Sequence, residues 1–176
     1  MKSIILLGAG LVLFMTGCAS TPLVLGPIGP NPTASKSDAP VGKLQVFSRV
    51  EAQKDDQNQA GDSWPDWYQH TDYVIYGSNG KPVKHVGNTT GHYAEAPKLV
   101  TLPAGQYWVK ARAKDYFWVK VPVTIKPGRI TRVHLDDNWN PPADTPSKAI
   151  ITEPSGHPVG WNARVASLDR HGTKAD

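Results

Sequence analysis

Leu102-Pro103-Ala104-Gly105-Gln106-Tyr107-Trp108-Val109-Lys110-Ala111-Arg112-Ala113 leads, through Lys114-Asp115-Tyr116, into Trp118-Val119-Lys120-Val121-Pro122-Val123-Thr124-Ile125. Past Pro127-Gly128 comes Ile130-Thr131-Arg132-Val133-His134-Leu135. All three runs alternate with period two, the signature of strands that bury one face. The inward sets are Tyr107, Val109, Ala111 and Ala113, then Val119, Val121, Val123 and Ile125, then Thr131, Val133 and Leu135. Pro103 presets φ and Gly105 suits the positive-φ position of a type II turn, and Pro127-Gly128 turns the chain again. A three-stranded meander follows, and with it an all-β, single antiparallel β-sandwich. Pro122 donates no ladder hydrogen bond, so it is predicted at an edge or a bulge.

Working outward, Leu44, Val46, Ser48 and Val50 alternate with polar neighbours from Lys43 onward and predict a half-buried strand. Ala52 to Gln69 is polar and reads as a long loop ending in Trp64-Pro65-Asp66-Trp67-Tyr68. Tyr73 to Tyr76 and Pro82 to Val86 flank Ser78-Asn79-Gly80-Lys81, a hairpin turn in which Asn-Gly tolerates positive φ. The sandwich is expected over 43–137. The segment 138–167 is expected to add a loop and a hairpin, Ala149 to Thr152 with Val159 to Ala163, and 168–176 a frayed tail.

Upstream, Lys2 precedes an apolar run from Ile4 to Phe14, and Met15-Thr16-Gly17 leads into Cys18, the one cysteine of the chain. This layout predicts a secretory signal peptide over 1–17, too short to anchor as a membrane span. A secreted protein with a leftover thiol, or an uncleaved apolar N-terminus, are the plainer readings. Residues 18–42 hold Pro22, Gly26, Pro27, Gly29, Pro30, Pro32 and Pro40, and are expected to form a disordered tether. Within it, Leu23-Val24-Leu25 either meets lipid, pairs with the domain or is plain linker.

Met15-Thr16-Gly17-Cys18 resembles the lipobox of bacterial lipoproteins, with Met15 where the usual pattern has Leu. That resemblance implies a lipidated Cys18, cleavage before it, and membrane attachment through two or more acyl chains. Ala19, not Asp, then implies the outer membrane of a two-membrane cell, or the outer face of the plasma membrane in a one-membrane cell. The segments His70 to Tyr76, Val100 to Tyr107 and Val121 to Ile125 with Gly128-Arg129 are similar to a group of uncharacterised bacterial lipoproteins. The Leu-Pro-Ala-Gly-x-Tyr turn resembles carboxypeptidase regulatory-like and PEGA-like domains, which are small prealbumin-like β-sandwiches; this implies a non-catalytic sandwich, prealbumin-like or Ig-like.

The formal charge of +4 is mixed in sign and lacks the clustered basicity of a nucleic-acid binder. Six histidines are present, yet there is no Gly-x-Ser-x-Gly elbow and no His-Glu-x-x-His run, so they read as structural. No cofactor and no metal are expected; Asp136-Asp137-Asn138 reads as a solvated acidic turn because it lacks the spaced template of a calcium loop. The alternation that buries Val109 and Val121 sends Trp108, Lys110, Arg112, Trp118 and Lys120 outward, with Arg132 and His134 continuing that face. Trp beside Lys and Arg suits sugar stacking or an anionic polymer, or else the cationic stems merely cover the rings. Trp64, Trp67 and Tyr68 form a second candidate, a loop platform or a cap on the sandwich. The expected function is a non-enzymatic, lipid-anchored envelope module that binds a glycan, peptidoglycan or a protein. The alternative is an accessory carbohydrate-active protein or hydrolase with a cleft near Trp64 to His70.

Overall fold

The structure is a computed structural model and describes residues 21–53, 67–89 and 96–165. The signal peptide, Cys18, Trp64 and the tail from 168 lie outside the described residues. The strands are β1 (Leu23–Val24), β2 (Ile28–Gly29), β3 (Gly42–Phe47), β4 (Val50–Gln53), β5 (Trp67–His70), β6 (Tyr73–Gly77) and β7 (Pro82–Val86). They continue as β8 (Leu99–Leu102), β9 (Gly105–Ala111), β10 (Val119–Ile125), β11 (Ile130–His134), β12 (Ile150–Thr152) and β13 (Pro158–Asn162). A single 3-10 turn, Ser147–Ala149, is the helical element among the described residues. The fold is all-β.

One layer runs β12-β13-β2-β10-β9-β6-β7, with β1 also on β10; the other is β11-β3-β8. Between them lies one core in which Ile75, Val109, Val121 and Val123 of the larger sheet and Leu44, Val46, Val100 and Val133 of the smaller are all buried. Every inward residue read from the three period-two runs is buried apart from Tyr107, which packs on the core margin. The hairpin at β12 and β13 extends the large sheet through β2 instead of merely packing on it.

The meander has two strands, not three. β9 and β10 pair antiparallel, but β11 crosses to the opposite layer and runs parallel to β3, Thr131 beside Leu44 and Val133 beside Val46. Gly128 at φ 67° redirects the chain, and main-chain bonds from Gly128 N to Val41 O and Lys43 N to Arg129 O lock it to the start of β3. Period two reports which face a strand buries and is silent on the layer, because either layer presents that face inward. Arg132 and His134 therefore lie on the far side of the sandwich from Trp108. Gly105 is extended and opens β9; among the described glycines only Gly80, Gly128 and Gly156 have positive φ.

The proline-rich stretch is also built into the fold. Leu23 N and Leu25 N donate to the carbonyls of Trp118 and Lys120, and Ile28 beside Val123 is completely buried. Farther on, the Arg129 guanidinium donates to the carbonyls of Asn31, Pro32 and Ala34, and Ser37 N to Gly128 O. A tether reading fails here because the outer edge of β10 needs main-chain partners and Leu23, Leu25 and Ile28 supply them with apolar side chains attached. The same pairing explains Pro122. Even-numbered residues of β10 aim their main-chain groups at β1 and β2, and Pro122 falls where Gly26-Pro27 interrupts that contact.

The ends of the predicted long loop form a ribbon, β4 with β5, in which Val50 pairs His70 and Gln53 pairs Trp67.

Candidate functional site

The outward face of β9 and β10 brings together all five residues singled out from the alternation. Lys120 lies directly opposite Lys110, and Pro122 opposite Trp108. Since the even-numbered main-chain groups of β10 point away from β9, these are non-hydrogen-bonded pairs, the kind with the closest side chains. The lysines then reach diagonally. Lys110 Nζ stands 5.0 Å from the centroid of the Trp118 ring, and Lys120 Nζ 5.0 Å from that of Trp108. Arg112 sits 4.9 Å over Phe117 and bonds Glu51 Oε1 at 2.6 Å. Each tryptophan thus carries a cation, the geometry of a cation–π pair.

Strand order adds neighbours that the sequence alone did not reveal. β6 flanks β9 with Tyr76 beside Trp108 and Val74 beside Lys110. The face therefore reads in rows: Tyr76, Trp108 and Pro122, then Val74, Lys110 and Lys120, then Arg112 with Trp118. Its rows end in shallow depressions. One of about 550 Å³ borders Trp108, Pro122 and Arg164, and one of about 400 Å³ borders Arg112, Phe117 and Trp118. From Trp118 to Trp108 the strands advance four residues, roughly 13 Å at ~3.3 Å each. Among the described residues, neither Lys110 nor Lys120 has a carboxylate partner.

The second candidate is only partly described. Trp64 is outside the described residues, Trp67 is known by its backbone pairing with Gln53, and Tyr68 projects with 63% of its surface exposed. The neighbouring His70 is buried, and its Nδ1 lies 2.6 Å from the Ser48 carbonyl. Asp72, two residues on, accepts from Asn88 N. Asn88 is itself buried and donates to Val46 O and Ser48 Oγ while accepting from Lys98 N. These bonds tie the loop after β7 to the end of β3. They are structural.

A column of rings escaped the sequence reading. His134 is stacked between Phe47, 4.4 Å away, and Trp139, 4.8 Å away, and Trp161 meets Trp139 edge-on at 6.1 Å. Burial, with the Arg132 and His70 charges, pushes the His134 imidazole down to about 4. It is therefore a neutral filler at ordinary pH. Only the parallel pairing of β3 with β11 makes Phe47 and His134 neighbours.

Comparison with known protein families, with curated proteins and with solved structures finds no match to this chain.

Proposed function

We propose that this chain is a non-enzymatic, lipid-anchored module of the bacterial cell envelope, held in the outer membrane through acylated Cys18. Its partner is an acidic envelope glycan, peptidoglycan included, gripped by the outward face of β9 and β10. The Met15-Thr16-Gly17-Cys18 run and the apolar stretch before it support the anchor. The Leu102 to Tyr107 turn, which resembles regulatory-like domains of the carboxypeptidases, supports a binding rather than a catalytic role.

One observation carries the ligand class: Lys110 and Lys120 are set directly opposite one another, with no compensating carboxylate among the described residues. Opposed like charges weaken a sheet; the contacts with the Trp118 and Trp108 rings offset part of that cost and leave both ammonium groups on the outward face. Two ammonium groups bracketed by Trp108 and Trp118 match a polymer that offers both sugar faces and negative charge. Such a ligand lies along the strands, from one depression to the other.

The test is co-sedimentation of the purified chain with insoluble peptidoglycan sacculi across a salt series. Retention should fall as salt rises, since the contact is exposed and screened. Lys110→Glu with Lys120→Glu should abolish it, and Trp108→Ala with Trp118→Ala should weaken it. Salt-independent retention, or retention unchanged in both double variants, overturns this face as the contact.

A further inference from the structure

Three turns meet at one end of the sandwich. The β9–β10 turn brings Lys114 and Asp115, the residues after β11 bring Asp136 and Asp137, and the β12–β13 turn brings Glu153 and His157. Lys114 N bonds Leu135 O at 2.8 Å, which fixes the first turn against the second. Glu153 N bonds His157 O at 3.0 Å, which closes the third with Gly156 at φ 96°. Contrary to the reading of a solvated acidic turn, Asp136 is only 8% exposed.

Three carboxylates converge on one imidazole nitrogen. His157 Nδ1 lies 3.0 Å from Asp137 Oδ1, 3.4 Å from Asp115 Oδ2 and 3.9 Å from Glu153 Oε1. One ligand atom each from Asp115, Glu153 and His157 falls within 4.8 Å of the other two. Glu153 is the informative member. It is 3% exposed, faces this cluster, and its Oε2 has no hydrogen-bond partner. A buried carboxylate oxygen left unbonded costs about 1–3 kcal/mol or more, and a cation at that point removes the cost. Lys114 does not serve it, because its ammonium is committed to Asp137 Oδ2 at 2.7 Å.

We propose that Asp115, Glu153 and His157 form a binding site for a divalent transition-metal ion of the zinc type. One imidazole with carboxylates suits zinc, whereas calcium and magnesium prefer all-oxygen shells. The spacing is close to what the ion needs. Ligands at ~2.0–2.1 Å from tetrahedral zinc stand about 3.3 Å apart; Asp115 Oδ2 and Glu153 Oε1 lie 3.4 and 3.9 Å from Nδ1, and the three atoms, all within 4.8 Å of one another, draw in around the ion. The ion takes the place of the proton on Nδ1, and a water completes the shell as the fourth ligand. Asp115 is exposed and leaves an open way in. Asp137, anchored by Lys114, turns from the imidazole to that water.

Metal-stripped full-length chain, titrated with zinc chloride by calorimetry in two buffers of different ionisation heat, tests the site. The expected result is one equivalent bound, a proton released, and a higher thermal midpoint by circular dichroism. Asp115→Asn and His157→Ala should each weaken binding at least about tenfold, the lower bound seen even for outer partners of metal ligands, and cancel the midpoint rise. His85→Ala, on exposed β7, should change nothing. Absence of stoichiometric binding by the parent chain overturns the proposal and leaves the cluster as contacts among side chains that join the three turns. So does affinity unchanged in Asp115→Asn, an exposed substitution that leaves the fold in place.

Discussion

The imidazole of His134 lies on the ring of Phe47, centroids 4.4 Å apart and planes 15° from parallel. Trp139 closes the other side, so protonating His134 puts a charge between two apolar faces. Its folded value of about 4 lies below the ordinary 6.5, so the unfolded chain binds the extra proton first. Stability from this group is complete above about pH 6.5 and is lost as pH falls toward 4. His134→Phe keeps the stack without titrating. Urea unfolding of both proteins at pH 7 and pH 5 should show the parent losing up to about 2 kcal/mol more than the variant. Glu153 acts in the opposite sense, since burial and then Asp115 hold its carboxyl above its usual range. The difference between the two proteins, not either curve alone, is therefore the measurement.

Lys110 and Lys120 make a trade between stability and binding measurable. Converting one of them, Lys110→Glu, replaces an opposed like-charge pair by an attractive one. The expected gain is about 0.2–1 kcal/mol in denaturant unfolding, reduced by the cation–π attraction that Lys110 has for the Trp118 ring. Sacculus retention should drop in the same variant. A variant that loses stability yet keeps its retention would point to a lysine serving the fold alone.

How much of this was legible in the residues depends on the range of the interaction. Period two placed Val109, Val121 and Val133 in the core correctly, because facing inward is a local property of a strand. It also grouped Trp108, Lys110, Trp118 and Lys120, since β9 and β10 are adjacent in chain and in space. It failed at β11, where the layer is chosen by Gly128 and Arg129 holding onto residues 31–41. It failed again at Leu23 to Gly29, whose Pro and Gly content hides partners nearly a hundred residues away. The corner of Asp115, Asp137, Glu153 and His157 and the His134 column each draw on three or more segments, and neither follows from spacing along one.

Ile28 tests whether the N-terminal segment belongs to the domain. It is completely buried in a strand of two residues, between β10 and β13, and its methyl groups approach Gly160. Ile28→Ala should cost about 2–5 kcal/mol in urea unfolding, as for other large-to-small core changes. A cost below about 0.5 kcal/mol, usual for a surface site, would return this stretch to the role of a tether.

Two glycines with nearly the same backbone separate conformation from contact. Gly80 has φ 75° with nothing within 4 Å of an added Cβ, whereas at Gly128, φ 67°, that Cβ collides with the Ser37 carbonyl oxygen. Both Ala variants bear the left-handed backbone cost, about 1–2 kcal/mol. Only Gly128→Ala must also expel the 31–41 segment, breaking the Ser37 N to Gly128 O bond of 2.9 Å. Its unfolding midpoint should therefore fall well below that of Gly80→Ala, and limited proteolysis should open new cuts between Pro32 and Pro40. Equal midpoints and equal digestion patterns would mean that the segment does not rest on this turn.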